Sequence, residues 1–218
     1  LYELIERDAF SVTWHAKRPV SSIPQELLPN GLQSRISSWK KLGYKVSFLD
    51  LTLDGPPVVL VLIWSRDKTP ALCSGASCRP LFLEALDRAF DEAEFMAMSW
   101  HRRRARYNMK KSDVKSPDDH GLFYVNPEKL VNAEWLLETT ACAENRKDFE
   151  GNLDHFDPIA VDITPKEPAC GLIVVRVLSE KLMPINFGYG NEHRGHSRMK
   201  VLGYEWSVRY PSDPHFFA

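Results

Sequence analysis

The run Val58-Val59-Leu60-Val61-Leu62-Ile63-Trp64 constrains this chain more than any other stretch. Seven consecutive β-branched, aliphatic or aromatic residues leave no polar face, so the segment fits a strand covered on both sides. It is too short to cross a membrane. Counted from Pro56, the apolar run is nine residues long, against the roughly 20 that a bilayer demands of a helix. Asp54-Gly55-Pro56 reads as a turn, and Tyr44 to Leu53 as the preceding strand. Together they predict a β-hairpin with one half-exposed strand and one core strand.

Helical spacing surrounds that hairpin. Residues 1–17 carry Leu1, Leu4, Ile5 and Val12 as an apolar stripe and end before Pro19. Leu32 to Leu42 predicts a second helix, with Gly43 as its C-terminal cap. The clearest helix begins at Pro80 and runs to about Trp100, with the stripe Leu83, Leu86, Phe90, Ala93 and Ala97. Its opposite side carries Glu84, Arg88 and Glu92. Arg66 to Arg79, Lys110 to Asp119 and Ala143 to Asp154 read as loops. His120 to Val125 reads as a short strand and Pro127 to Leu137 as a helix. Ile159 to Ile163 and Gly171 to Leu178 read as strands, the second another buried run. Residues 179–218 form a tail rich in glycine, histidine and proline, too polar for the core and expected to be ordered loop. This order predicts a single α+β domain over 1–218, with mixed, mostly antiparallel sheets and packed helices.

Net charge over the 218 residues is −1, so no global field draws the chain towards nucleic acid or a membrane. The basic segment His101 to Arg106 is too short to argue nucleic-acid binding. No secretory signal is evident. Cys73, Cys78, Cys142 and Cys170 form no C-x-x-C pair, which points to free thiols in a cytoplasmic protein. The phosphate loop G-x-x-x-x-G-K-[ST], the dinucleotide loop G-x-G-x-x-G and the nucleophile elbow G-x-S-x-G are all missing.

Three groups of residues could carry chemistry. Glu3, Glu6 and Arg7 share one side of the first helix. Taken alone, they are better described as a solvated face with an i,i+4 pair worth about 0.2–0.5 kcal/mol. Arg88 and Glu92 lie on the long helix in the weaker order for a surface pair, so helix stability explains them poorly. Were both faces to meet in one groove, three carboxylates could hold Mg2+, and the two guanidiniums could take phosphate oxygens. The third group is His193, Arg194, His196 and Arg198 in the tail, a candidate anion-binding or substrate loop.

Several stretches, taken in order, resemble the YcaO family. They are Leu1 to Phe10, the hairpin around Asp54 to Val59, Glu84 to Glu92, Asp119 to Tyr124, Gly171 to Leu178 with Met183 to Gly188, and the proline-bearing ending Pro214 to Ala218. The resemblance implies a YcaO-like ATP-binding α+β fold, with ATP and Mg2+ as cofactors. Glu3, Glu6 and Arg7 then match the family's E-x-x-E-R, and Arg88 and Glu92 its later R-x-x-x-E. Glu3, Glu6 and Glu92 become the expected metal ligands, and all five the expected nucleotide contacts. His193, Arg194, His196 and Arg198 become the catalytic candidates on the substrate side. The implied activity is cyclodehydration of Cys, Ser or Thr in a ribosomal precursor peptide to thiazoline or oxazoline. A backbone thioamide synthetase and a non-catalytic degenerate scaffold are the alternatives. The implied partners are the precursor peptide and a leader-peptide-binding protein. A homodimer is compatible, with no nucleic acid and no membrane. The chain departs from the pattern at Phe95, where family members often carry glutamine. It also matches only the C-terminal half of the family domain, so this chain alone is not expected to form a complete nucleotide site: either the upstream part is disordered, cleaved or in another chain, or this copy is inactive.

Overall fold

The computed structural model describes the chain except for residues 104–107, 140–141, 143–147, 166–170, 193, 207–212 and 218, and for the side chains of residues 27 and 103. Strands β1 (Ser21–Ser22), β2 (Lys45–Asp50), β3 (Val58–Trp64) and β4 (Leu72–Cys78) form an antiparallel meander in sequential order. Every residue of β3 is buried, and the pleat shows why. Val58, Leu60 and Leu62 join one core with Ile5, Ala9 and Phe10 of helix α1 (Tyr2–Ala16). Val59, Val61 and Ile63 join a second core with α2 (Asn30–Lys41) and α3 (Phe82–Arg103). The sheet is thus the middle of three layers, which is what a strand without a polar face needs.

The hairpin pairs as expected, Leu49 opposite Leu60 and Lys45 opposite Trp64. Its first strand is covered more fully than predicted, with only Lys45 exposed. Gly43 caps α2 in the left-handed region, at φ 85°. Leu83 is 56% exposed. The buried stripe of α3 instead runs through Ala85, Leu86, Ala89, Phe90, Ala93, Ala97 and Trp100.

Four further expectations are corrected. Within the predicted loop Arg66 to Arg79 lies β4, which pairs with β3 from Leu72 opposite Trp64 to Cys78 opposite Val58. The Ser74-Gly75-Ala76-Ser77 segment has no β-branched residue to announce a strand. Its small residues are needed because α3 lies directly on them. His120 is not in a strand but in α4 (Pro117–Phe123). Ser116 caps this helix, accepting from Asp119 N, while Asp119 accepts from Ser116 N, and Pro117 opens it. Pro127–Asn132 is a 3-10 turn ahead of the short α5 (Glu134–Leu137). The strands β5 (Ile159–Asp162) and β6 (Val175–Leu178) pair with each other, but β6, expected as a buried run, is exposed at all but Val177.

The tail also departs from expectation. It contains α6 (Ser197–Val201), and Pro214 to Phe217 are buried. Phe216 and Phe217 pack on Phe10 at ring distances of 5.4 and 4.6 Å. Tyr124 Oη donates to the Pro214 carbonyl at 2.6 Å. His120 Nε2 accepts from Gly188 N at 2.9 Å, so Nδ1 carries the proton it shares with the His215 carbonyl. The two imidazoles stack 3.9 Å apart. Burial holds both below the usual histidine range, and the neighbouring ring lowers His215 further. Cys73 and Cys78 are buried free thiols and Cys142 is exposed; Cys170 lies outside the described residues.

Candidate functional site

β4 makes its sheet bonds through one side only, so alternate amides face away from β3. Two of those amides bind carboxylates from different helices. Cys78 N donates to Glu6 Oε2 of α1 at 3.2 Å, and Ala76 N donates to Glu92 Oε2 of α3 at 2.8 Å. The two anchors are two residues apart, roughly 7 Å along a strand. Burial pushes the Glu6 carboxyl up to about 8, and the Glu92 charge and then the Glu3 charge add to it. Glu92 is raised too, by desolvation first, although its residue surface stays exposed. The effect of burial there is the weaker of the two.

Glu3 completes this acidic edge and pairs with Arg7 at 2.5 Å. Arg88 lies one turn before Glu92 on α3 and is exposed. The five residues singled out by spacing therefore come from two helices that meet on the same sheet. A cation that spacing did not reveal sits among them. Arg79 donates from Nη1 to the Cys78 carbonyl at 2.7 Å, lies 3.7 Å from Glu84, and its charge partly relieves Glu6. Reading its surroundings as loop hid it. Cys78 is no nucleophile here, because burial and the nearby Glu6 push its thiol up to about 12.

Glu3 and Arg7 also form one wall of a cleft of about 660 Å³. Its other walls are β6 and the segment Leu182 to Ile185, with His196 at the side. Arg176 enters this cleft from β6, a second guanidinium that the buried-strand reading concealed. His196 caps α6 and accepts from Arg198 N through Nδ1 at 3.2 Å. The remaining tail candidates lie elsewhere. The Arg198 side chain is 5% exposed and locked between Asp8 and Asp54. The Arg194 charge, after burial and Lys17, helps push His15 down to about 3. His15 is twelve residues along α1 from Glu3, roughly 18 Å. His193 lies outside the described residues.

Among the described residues, no group of three or more His, Cys, Asp or Glu side chains could hold a metal ion by itself. The donor chemistry nevertheless suits Mg2+, which takes one or two carboxylates and fills its remaining positions with water and phosphate oxygens. A carboxyl that burial and the neighbouring Glu92 and Glu3 charges keep protonated to about 8 is an observation of the same kind.

The acidic edge predicts a stability profile. Between the ordinary glutamate value of 4.5 and about 8, the folded chain holds a proton on Glu6 that the unfolded chain has lost. Stability therefore falls as pH rises through that window. The buried histidines act with the opposite sign. They stay neutral when folded, so stability is lost as pH falls below their ordinary value of 6.5. Lys17, lowered to about 8, contributes only above that value. Thermal midpoints are expected to decline from pH 6.5 to about 8. Glu6→Gln should flatten that limb and steepen the acid limb between about pH 4.5 and 6.5, where the Glu6 proton offsets the histidines. A limb that persists in the variant would assign it to another group.

No curated protein matches the sequence significantly. Solved structures do match, at identities that show the fold alone. A heterocyclase in complex with substrate and cofactor superposes with TM-score 0.70 at 17% identity, over 97% of this chain and 30% of its own. The E. coli microcin synthetase McbBCD complex with pro-MccB17 bound gives TM-score 0.62 at 16%, over 83% of this chain and 50% of its own. YcaO from Methanopyrus kandleri, bound with AMPPCP and Mg2+, gives 0.57 at 18%, over 97% and 55%. This chain spans 30%, 50% and 55% of the length of these three solved chains. The sequence model described as YcaO cyclodehydratase, ATP- and Mg2+-binding, matches residues 1–183, from the first carboxylates of α1 through β6. The chain belongs to the YcaO family.

Proposed function

We propose that the protein carrying this chain is an ATP-dependent cyclodehydratase, converting Cys, Ser or Thr of a ribosomally made precursor peptide into a thiazoline or oxazoline. The observation that carries this reading is the meeting of Glu6 and Glu92 on adjacent outward amides of β4. Glu3, Glu6 and Glu92 would hold Mg2+, and Arg7 and Arg88 would take phosphate oxygens. Mg2+, when bound with ATP, would supply positive charge to the phosphates.

In this chemistry the substrate side chain adds through S or O to the preceding carbonyl carbon and gives up its proton. The carbonyl oxygen takes the γ-phosphoryl group, releasing ADP. The C–O bond then breaks with phosphate leaving, and the amide nitrogen loses its proton as C=N forms. The nucleophile belongs to the substrate, so the protein positions groups and neutralises charge. In its neutral form, with Nδ1 accepting from the Arg198 amide, His196 carries its proton on Nε2 beside the cleft. It would exchange that proton with substrate. His193 is proposed for the same side, whereas Arg194 lies by His15 and is left out of the substrate contacts. Arg198 would act through His196 as a positioning residue. A leader-peptide-binding protein is the proposed partner, a homodimer is compatible, and the proposed compartment is the cytoplasm. No described helix is long and apolar enough to cross a membrane.

The test is phosphate release by the full-length protein with and without a Cys-containing precursor peptide, alongside a product mass lower by one water. Glu6→Gln is expected to lower peptide-stimulated release by about 100-fold or more, the scale of losing a group that stabilises developing charge. It should also abolish the thermal shift on adding Mg2+ with a non-hydrolysable ATP analogue. Unchanged release in that variant would remove Glu6 from the site. Absence of peptide-stimulated release from the unaltered protein would overturn the enzyme reading.

A further inference from the structure

On the sheet face opposite α1, a second cavity of about 370 Å³ opens between the C-terminal ends of α2 and α3. Its size falls within the roughly 300–1,000 Å³ of ligand pockets. Trp39, Leu42, Tyr44 and Met98 supply apolar walls; Leu42 and Met98 are at least half exposed. Trp39 is fixed in place. Its Nε1 donates to Glu94 Oε1 at 2.7 Å, and its ring meets Tyr44 edge-on at 5.5 Å. Glu94 is an acidic group at this wall; Arg35 pairs with it at 2.6 Å and is shared with Asp91 and Asp87, about one and two turns further back along α3 from the groove.

Lys68, His101 and Arg102 stand around the cavity, all exposed, and none takes an ion pair among the described contacts. Helix C-termini attract cations, which is the ordinary explanation for such residues. Two C-termini supply about half a negative charge each, however, so together they offset about one unit. Lys68 and Arg102 alone exceed that, before His101 is counted. An aromatic-walled cavity with surplus positive charge at its rim suits a ligand that is apolar at its centre and anionic at its edges.

We propose that this groove docks an acidic peptide segment, with a bulky apolar side chain seated between Trp39 and Met98 and flanking carboxylates meeting Lys68, His101 and Arg102. The choice of a peptide over other anionic amphiphiles rests on the peptide-modifying reading above. The groove lies apart from the carboxylates of that site and acts as an exosite, adding affinity without touching the reacting amide.

The test uses the full-length protein without ATP or Mg2+, and fluorescence anisotropy of a labelled peptide alternating aspartate with leucine and phenylalanine. Saturable binding that weakens with added salt is expected. The double charge reversal Lys68→Glu with Arg102→Glu should weaken it roughly tenfold or more, about 1.4 kcal/mol. Replacing the aspartates by asparagine should cost the same. Both reversed positions are exposed, and an unchanged melting profile confirms that the variant folds. Glu6→Gln should leave binding intact. Loss of phosphate release with binding retained would therefore strike only the cyclodehydratase reading, and the converse only the exosite. No binding, binding indifferent to charge reversal, or displacement by decanoate at equal affinity would overturn the proposal. So would self-association through this face in place of peptide binding.

Discussion

Arg198→Met is expected to destabilise the fold by about 3–5 kcal/mol, the usual consequence of leaving a buried charge without its partner. The guanidinium donates from Nε to both Asp8 oxygens, at 3.2 and 2.9 Å, and from Nη1 and Nη2 to Asp54 at 2.8 and 2.6 Å. Asp8 is fully buried, and its Oδ1 also accepts from Met183 N at 2.7 Å. One side chain thus ties α1, the turn between β2 and β3, and α6 together. Burial pushes the Asp8 carboxyl up against those contacts, while the guanidinium holds Asp54 below the usual carboxylate range. Without Arg198, Asp8 must take up a proton or repel Asp54. Urea denaturation at pH 7 measures the loss. Arg198→Lys should recover only part of it, because an ammonium cannot bond both carboxylates in the same fork. A loss below about 1 kcal/mol would mark the cluster as no stronger than a surface ion pair.

Gly75→Ala is expected to cost stability at the upper end of the about 1–3 kcal/mol seen for overpacked cores, and to disable the acidic edge as well. A Cβ on Gly75 would lie 2.3 Å from Ala93 N and 2.4 Å from Ala89 O. Both contacts are helix backbone, so α3 must move as a body. Ala89 and Ala93 are the small residues that allow the close approach, and Glu92 reaches Ala76 N because of it. Melting temperature and the Mg2+-dependent shift should therefore fall together. Gly31→Ala is the control. A Cβ there meets nothing within 4 Å, and a gain of about 0.4–1 kcal/mol is expected from the stiffer unfolded chain. If the Gly75 variant kept the Mg2+-dependent shift while losing stability, helix seating and site assembly would be separate matters.

The site was legible in the sequence to the extent that helical spacing carries it. Glu3, Glu6 and Arg7 fall on one helix and Arg88 with Glu92 on another, and both helices formed where the apolar stripes placed them. Arg79 and Arg176 were not legible, since their roles depend on a strand without strand-forming residues and on a ribbon whose apolar run is exposed. Arg198 was misplaced for a different reason. Among other histidines and arginines it resembles an anion-binding loop, and only the chain fold brings Asp8 and Asp54 to it, 190 and 144 residues away in sequence. The C-terminal Pro214 to Phe217 read as surface because its length and composition are those of a loop. Its burial is determined by Phe10 and Tyr124 far upstream.

By itself the sequence determined the helices α1, α2 and α3, the β2–β3 hairpin and the family, because periodicity, turn residues and motif order are properties of neighbours along the chain. Tertiary structure alone decided that β4 exists, that its outward amides bind Glu6 and Glu92, and that Glu6 keeps its proton to about 8. Strand pairing, desolvation and charge coupling act through space, and no local pattern encodes which distant groups will share one low-dielectric edge.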